Sequence, residues 1–264
     1  MPKQCVPRTS RLLAFMIGDS TITFARKYLC DYFSPIAPGA VIYDNGCGTG
    51  AVTRAVLDIY PELISSSPAT PIHATDINAV FIEDFKELVA SRGWKSTVHP
   101  AVMAAENLAL PDSTVTHSFT NFLIFGVGDA PKAAAEVLGT LVPGGVAVMT
   151  SWATLPHAKA LDRTRERLYG EHVMSHIKPE WFESSYLENL LRDAVFVRVT
   201  AFQVDSEMSW MGMPPGGWTE KDEAEWDRNR EIYGAKCVRE GFKVDEDGRV
   251  RASMVANVVM AWKG

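Results

Sequence analysis

Val41-Ile42-Tyr43-Asp44 is an apolar run closed by an acid, and three glycines follow at alternate positions, Gly46, Gly48 and Gly50. Ala51-Val52-Thr53-Arg54-Ala55-Val56-Leu57 then sets its apolar residues at helical spacing. No other stretch constrains the fold as tightly. A strand, a glycine loop and a helix in direct succession put bare backbone where the polar part of a ligand approaches closely. Side chains at the glycine positions would block that approach or forbid the turn. Cys47, inside the loop, reads as a small residue in a tight turn rather than as a nucleophile.

A chain of 264 residues buries a large core and fits one large α/β domain with an appendage. Its net charge of −6 argues against a protein that tracks nucleic-acid phosphates, which presents a basic face. Cys5, Cys30, Cys47 and Cys237 are widely separated with no C-x-x-C pair, as expected of free thiols in a reducing compartment. Leu12 to Ile17 is too short for a signal-peptide core, and no apolar run reaches the roughly 20 residues of a membrane span. A cytoplasmic protein is expected, with no nucleic-acid or membrane partner and no metal.

Along the chain, Ser20 to Phe33 has an apolar stripe of helical period (Ile22, Phe24, Ala25, Tyr28, Leu29, Tyr32). Residues 1–37 are expected to form an N-terminal helical segment, either packed on the sheet or serving as a lid. Pro71 to Ile77 reads as a second buried strand ending in Asp76, where a doubly wound fold places a ribose-binding carboxylate. Both ribose hydroxyls can donate to one ionised carboxylate, and the competing role for Asp76 is a helix cap. Thr97 to Val102, His117 to Phe125, Val146 to Trp152, Val195 to Val204 and Ser253 to Trp262 read as further strands. Leu161 to Gly170, Glu180 to Arg192 and Glu220 to Glu240 read as helices. Residues 205–249 form an insertion between the sixth and seventh strands. Its Trp210, Met211 and Trp218, around a Pro/Gly loop, suit the wall of a pocket for a flat apolar acceptor.

Two cofactor classes fit the glycine loop. Gly46, Gly48 and Ala51 meet the dinucleotide fingerprint loosely. Asp44, Gly46, Gly48 and Gly50 instead resemble D-x-G-x-G-x-G, motif I of the class I S-adenosylmethionine (SAM)-dependent methyltransferases. Met103 to Asp112 is similar to the D-A-E-x-L-P-F-P-D segment of the ubiquinone-biosynthesis type, with Ala104 where an acid is usual. Val142-Pro143-Gly144-Gly145 and the strand after it are similar to that family's L-x-P-G-G turn and fifth strand, so the resemblance covers Val41 to Trp152. A dehydrogenase would need a hydride-transfer apparatus, and no Y-x-x-x-K occurs. The Trp181 to Ala194 segment and the Thr150-Ser151-Trp152 ending look like fungal secondary-metabolite members, including the gliotoxin thiol methyltransferase type.

The resemblance implies a Rossmann-like seven-stranded sheet with helices on both faces, six strands parallel and the last antiparallel. It implies SAM as cofactor, held by Asp44, Gly46, Cys47, Gly48, Gly50, Asp76 and Ile77. Ala104, Ala105 and Glu106 would lie near adenine, and Asn121 and Phe122 beside the methionine part. Phe125, Trp152, Trp210 and Met211 are the candidates for contact with a small-molecule acceptor, whose hydroxyl, amine or thiol receives the methyl group. His157 is the candidate base, if the acceptor must lose a proton. Two rivals remain: a nicotinamide oxidoreductase, and a SAM-fold protein without methyl transfer, such as a cyclase or regulator.

Overall fold

The computed structural model describes residues 20–170, 178–210, 224–244 and 250–264. In chain order α1 (Ser20–Asp31) precedes β1 (Ile42–Asn45), α2 (Ala51–Ile59), β2 (Ile72–Asp76), α3 (Ala79–Ser91) and β3 (Val98–Val102). Then come β4 (Val115–Asn121), α4 (Ala130–Thr140), β5 (Leu141–Thr154), α5 (Pro156–Tyr169) and α6 (Ser184–Asp193). The chain closes with β6 (Arg198–Trp210), α7 (Trp226–Arg239), β7 (Lys243–Val244) and β8 (Val250–Trp262).

Seven strands lie in the order β3-β2-β1-β4-β5-β8-β6. The pairs among β1 to β5 are parallel, and β8 runs antiparallel to both β5 and β6. The expected sheet of six parallel strands and one antiparallel strand is therefore present. The two-residue β7 is an addition, pairing with β8 at Val250 and Arg251, beyond the point where β5 ends its own pairing at Val255.

Strand alternation splits the core in two. Ile42, Ile72, Ala74, Val98 and Val148 join the buried faces of α1, α2 and α3. Tyr43, Ala147, Met149, Val259 and Ala261 point the other way and meet α4 and α6 through Val137, Leu187 and Leu191. All four residues of β1 are buried, as a strand covered on both faces requires. On α1 the buried positions are Ser20, Ile22, Phe24, Ala25, Tyr28 and Leu29, and Tyr28 stacks on Phe119 with centroids 6.3 Å apart. The helix is thus built into the core; residues 1–19 of the expected N-terminal segment lie outside the described residues.

Several boundaries differ from the sequence reading. The segment 142–145 was expected as a turn, yet the strand already starts at Leu141. Leu141 pairs with Val115 and Val146 with His117, so residues 142–145 stand against Thr116 alone as an irregularity inside β5. β6 and β8 also extend toward the insertion beyond their expected ends, pairing from Arg198↔Trp262 to Trp210↔Val250, so that residues 205–210 of the insertion belong to the sheet. Residues 211–223 of the insertion, with Met211 and Trp218, lie outside the described residues. No helix among the described residues is long and apolar enough to cross a membrane.

Candidate functional site

The loop after β1 is tied to the end of β2 by Cys47 N–H, which donates to the Thr75 carbonyl at 2.8 Å. Gly46, Gly48 and Gly50 all have left-handed backbone, with φ of 69°, 54° and 85°. Their surroundings differ. A Cβ on Gly46 would meet Leu123 Cδ2 at 2.5 Å, and one on Gly50 would run into the buried Phe85 ring. A Cβ on Gly48 would meet nothing within 4 Å. Two of the glycines therefore serve close packing within the protein, and the third keeps an open space bare. Burial drives the Cys47 thiol well above its ordinary range, consistent with a packing residue and not with a nucleophile.

Asp44 is buried, and its Oδ2 accepts from Thr53 N–H at 3.0 Å and Thr53 Oγ1 at 2.7 Å. It thereby clasps the first turn of α2 to the end of β1. Burial pushes its carboxyl up to about 6; the two Thr53 bonds oppose the rise and the charge of Asp76 adds to it. Thr53 was not singled out from sequence. A hydroxyl three residues into a helix, with an acid just ahead of the loop, was the available signal.

The Asp44 carboxyl titrates near 3.8 when free and about 6 when folded. Between those values the folded state binds more protons, so stability falls as pH rises. A rise from 3.8 to about 6 corresponds to a loss of ~3 kcal/mol, absent below about pH 4 and complete above about pH 6. Asp44→Asn removes the titration. The stability of the parent minus that of the variant, from urea unfolding at pH 4 and pH 7, is expected to fall by ~3 kcal/mol. A pH-independent difference would mean that the carboxylate is not desolvated.

Asp76, at the carboxyl end of β2, is half-buried. Its Oδ2 accepts from Gly48 N–H at 3.0 Å and its Oδ1 from Asn78 N–H at 2.8 Å. Each oxygen of a carboxylate has two acceptor positions, so one remains on each for a further donor. The helix-cap role belongs to Asn78, whose Oδ1 accepts from Val80 N–H at 3.0 Å at the start of α3. Ile77, next to Asp76, is 71% exposed, and Val102, paired with Asp76 across β2 and β3, is 53% exposed. Both are exposed apolar residues next to Asp76 at the strand ends.

After β3, Ala105 is buried, and Ala104 accepts from Asn107 N–H in a turn. Glu106 does more than mark the surface: its Oε1 accepts from Gly128 N–H at 2.7 Å and Asp129 N–H at 3.4 Å, clamping this loop to the start of α4.

At the end of β4, Thr150 Oγ1 donates to Asn121 Oδ1 at 2.9 Å and accepts from Phe122 N–H at 2.9 Å. Asn121 Nδ2 reaches the Thr21 carbonyl of α1 at 3.4 Å. Phe122 has φ of 55°, an uncommon conformation for a bulky residue, and the Thr150 bond supports it. Its ring stacks on Trp152 with centroids 3.8 Å apart, and Phe24 of α1 meets both rings edge-on at 5.8 and 5.6 Å. The sequence suggested Phe122 and Trp152 but missed Phe24, which looked like one more core position on a helix stripe. Phe125 stands 6.2 Å from Trp181.

His157 lies in the first turn of α5, which begins ahead of the expected Leu161, and Trp210 ends β6. Neither side chain is among those described, and Met211 lies outside the described residues altogether. The structure therefore brings Gly46, Cys47, Gly48, Gly50 and Asp76 together at the carboxyl ends of β1 and β2. Asn121 and Phe122 stand at the end of the adjacent β4.

Residues 42–145 match the family model described as a methyltransferase domain. The methyltransferase tpcH of Aspergillus fumigatus is 25% identical over 114 residues, 43% of this chain and 39% of that protein. The match thus spans about two fifths of that curated relative's length. The YcgJ protein of Bacillus subtilis superposes with a TM-score of 0.59 at 11% identity, over 92% of this chain and 98% of that one. A SAM-dependent methyltransferase from Aquifex aeolicus gives 0.53 at 19% identity, over 72% and 89%. At such identities the likeness is one of fold: the chain has the Rossmann-like sheet found in SAM-dependent methyltransferases.

Proposed function

We propose that the protein is a SAM-dependent methyltransferase acting on a hydroxyl, amine or thiol of a small natural-product molecule, within the fungal secondary-metabolite type. The observation that carries this reading is the pairing of a bare Gly48 with a half-buried Asp76 beside it. One free acceptor position on each carboxylate oxygen matches two vicinal ribose hydroxyls, and the open space over Gly48 admits the ligand's backbone-facing side. The methyltransferase-domain match and the likeness to a fungal methyltransferase support the rest. The three described cysteines, Cys30, Cys47 and Cys237, are free, which favours a reducing, cytoplasmic setting.

When bound, SAM supplies a methyl group already activated on a sulfonium. The chain's contribution is then positioning and exclusion of water. Asp76 fixes the ribose, and Ile77 and Val102 give adenine an apolar seat, with Ala104, Ala105 and Glu106 close by. Asp44 holds the glycine loop in shape through Thr53, and its buried charge favours a cationic ligand. Asn121 and Phe122, set by Thr150, border the methionine end. The Phe122–Trp152 stack, with Phe125, is a dry wall for the acceptor, to which Trp210 and Met211 of the insertion would add. His157 would take the acceptor's proton where one must leave.

Calorimetry on the full chain is expected to show micromolar binding of S-adenosylhomocysteine, on the order of −8 kcal/mol, and none of NAD. Tight NAD binding without the SAM product would overturn the reading in favour of an oxidoreductase. Binding with no methylated product in extracts of the producing organism, compared with extracts lacking the gene, would favour a protein of this fold without methyl transfer.

A further inference from the structure

His73 on β2 and His99 on β3 are register partners in neighbouring parallel strands, which sets their backbones about 4.8 Å apart. Ile72 and Ala74 turn into the core shared with α1, α2 and α3, so strand alternation sends His73 to the opposite face. The helices of that face, α4 and α6, pack on β5, β6 and β8, toward the other side of the sheet. β3 ends the strand order, and the pair stands at this edge with His99 exposed and His73 half-buried. The two ring centroids are 5.7 Å apart, with the planes inclined at 40°.

The fold makes no use of the four ring nitrogens. None has a hydrogen-bond partner among the described residues, and those of the half-buried His73 keep access to solvent. A neutral imidazole carries one N–H and one bare lone pair. At pH 7.5, above the ordinary histidine value of about 6.5, that lone pair is free to bind a metal. Zn–N bonds of about 2.0–2.1 Å put the centroids of two imidazoles on one tetrahedral ion on the order of 5–6 Å apart. The observed 5.7 Å falls within that span.

We propose that His73 and His99 together bind one divalent transition-metal ion of the zinc type, which joins the edge strand β3 to β2. Imidazole suits zinc, copper and nickel, whereas magnesium takes oxygen ligands. No third His, Cys, Asp or Glu completes the set among the described residues, so water fills the other positions. The site is therefore open and exchangeable, unlike the closed four-ligand sites of structural zinc. No spacing in the sequence announces it, because only the pairing of β2 with β3 brings the rings together. It shares no residue with the proposed cofactor site.

The test is a calorimetric titration of Zn²⁺ into the full chain at pH 7.5, with Mg²⁺ as the comparison. His157, His172, His176 and the free thiols can take ions of their own, so the readout is the difference between parent and variant. The parent is expected to bind one more equivalent of Zn²⁺ than His99→Gln, and Mg²⁺ is expected to show no such difference. His73→Gln is expected to lose the same equivalent, and the double variant no more than either alone, because both rings hold one ion. Losses that add would mean one adventitious ion per histidine and overturn the proposal. So would a His99→Gln protein that binds Zn²⁺ as the parent does, or an equal difference with Mg²⁺. Should His73→Gln not fold, NMR of the parent decides: the His73 and His99 imidazole signals are expected to shift together over one titration curve. Zn²⁺ that moves the His99 signal alone overturns the proposal.

Discussion

Gly50→Ala is expected to cost the fold about 2–5 kcal/mol, whereas Gly48→Ala leaves the fold standing and removes cofactor binding. Both glycines sit in left-handed backbone, at φ of 85° and 54°, so alanine at either carries a backbone strain of about 1–2 kcal/mol. The surroundings make the difference. At position 50 the new methyl drives into the edge of Phe85, which is fully buried on α3 and cannot swing away, adding the roughly 1–3 kcal/mol of an overpacked core. At position 48 the methyl meets no protein atom within 4 Å and projects into the space the ligand would enter, beside the N–H that donates to Asp76. Affinity for S-adenosylhomocysteine is expected to fall at least about tenfold, or 1.4 kcal/mol. Thermal unfolding and calorimetry on both variants separate the two roles. A Gly48→Ala protein that binds like the parent would take the ligand role away from that glycine.

The sequence could not divide the labour among the glycines, because their spacing is regular and their neighbours, Leu123 and Phe85, are distant in the chain. What was legible was local. The run into Asp44, the alternate glycines and the helical spacing after them declare a strand, a loop and a helix without any knowledge of the rest. Asp76 was legible for the same reason, as an acid closing a second apolar run. Contacts that depend on tertiary approach were not: the seat of Thr53 under Asp44, the clamp of Glu106 on α4, and the meeting of Phe24 with Phe122 and Trp152. The insertion's first edge was set too early because Trp210 was read for its chemistry. The backbone of residues 205–210 continues the pairing of β6 with β8, which polar residues such as Ser206 and Ser209 had obscured. The helix that holds His157 was expected to begin only at Leu161, although Pro156 is a residue suited to a helix's first turn.

Asp76→Ala is expected to lower cofactor affinity about tenfold to a thousandfold, ~1.4–4 kcal/mol, while the protein stays folded. Removing the carboxylate would delete the two charge-assisted hydrogen bonds proposed to the ribose, each worth about 1.5–3 kcal/mol before water returns part of the loss. The same change also frees Gly48 N–H and Asn78 N–H, which the carboxylate now accepts at 3.0 and 2.8 Å. Those donors lie at a half-exposed site where water can replace the oxygens, so the cost to the fold is kept to about 1 kcal/mol. Asn78→Ala is the control. It removes the cap of α3, with a stability loss of about 1 kcal/mol, and leaves the carboxylate in place to receive the ribose. Melting without ligand and affinity for S-adenosylhomocysteine, measured on both variants, should therefore show opposite patterns: a large affinity loss with a small stability loss at 76, and stability loss alone at 78. A stable Asp76→Ala protein that binds the ligand as the parent does would refute the ribose assignment. Equal affinity losses in the two variants would place the effect in the geometry of the β2–α3 turn rather than in the carboxylate.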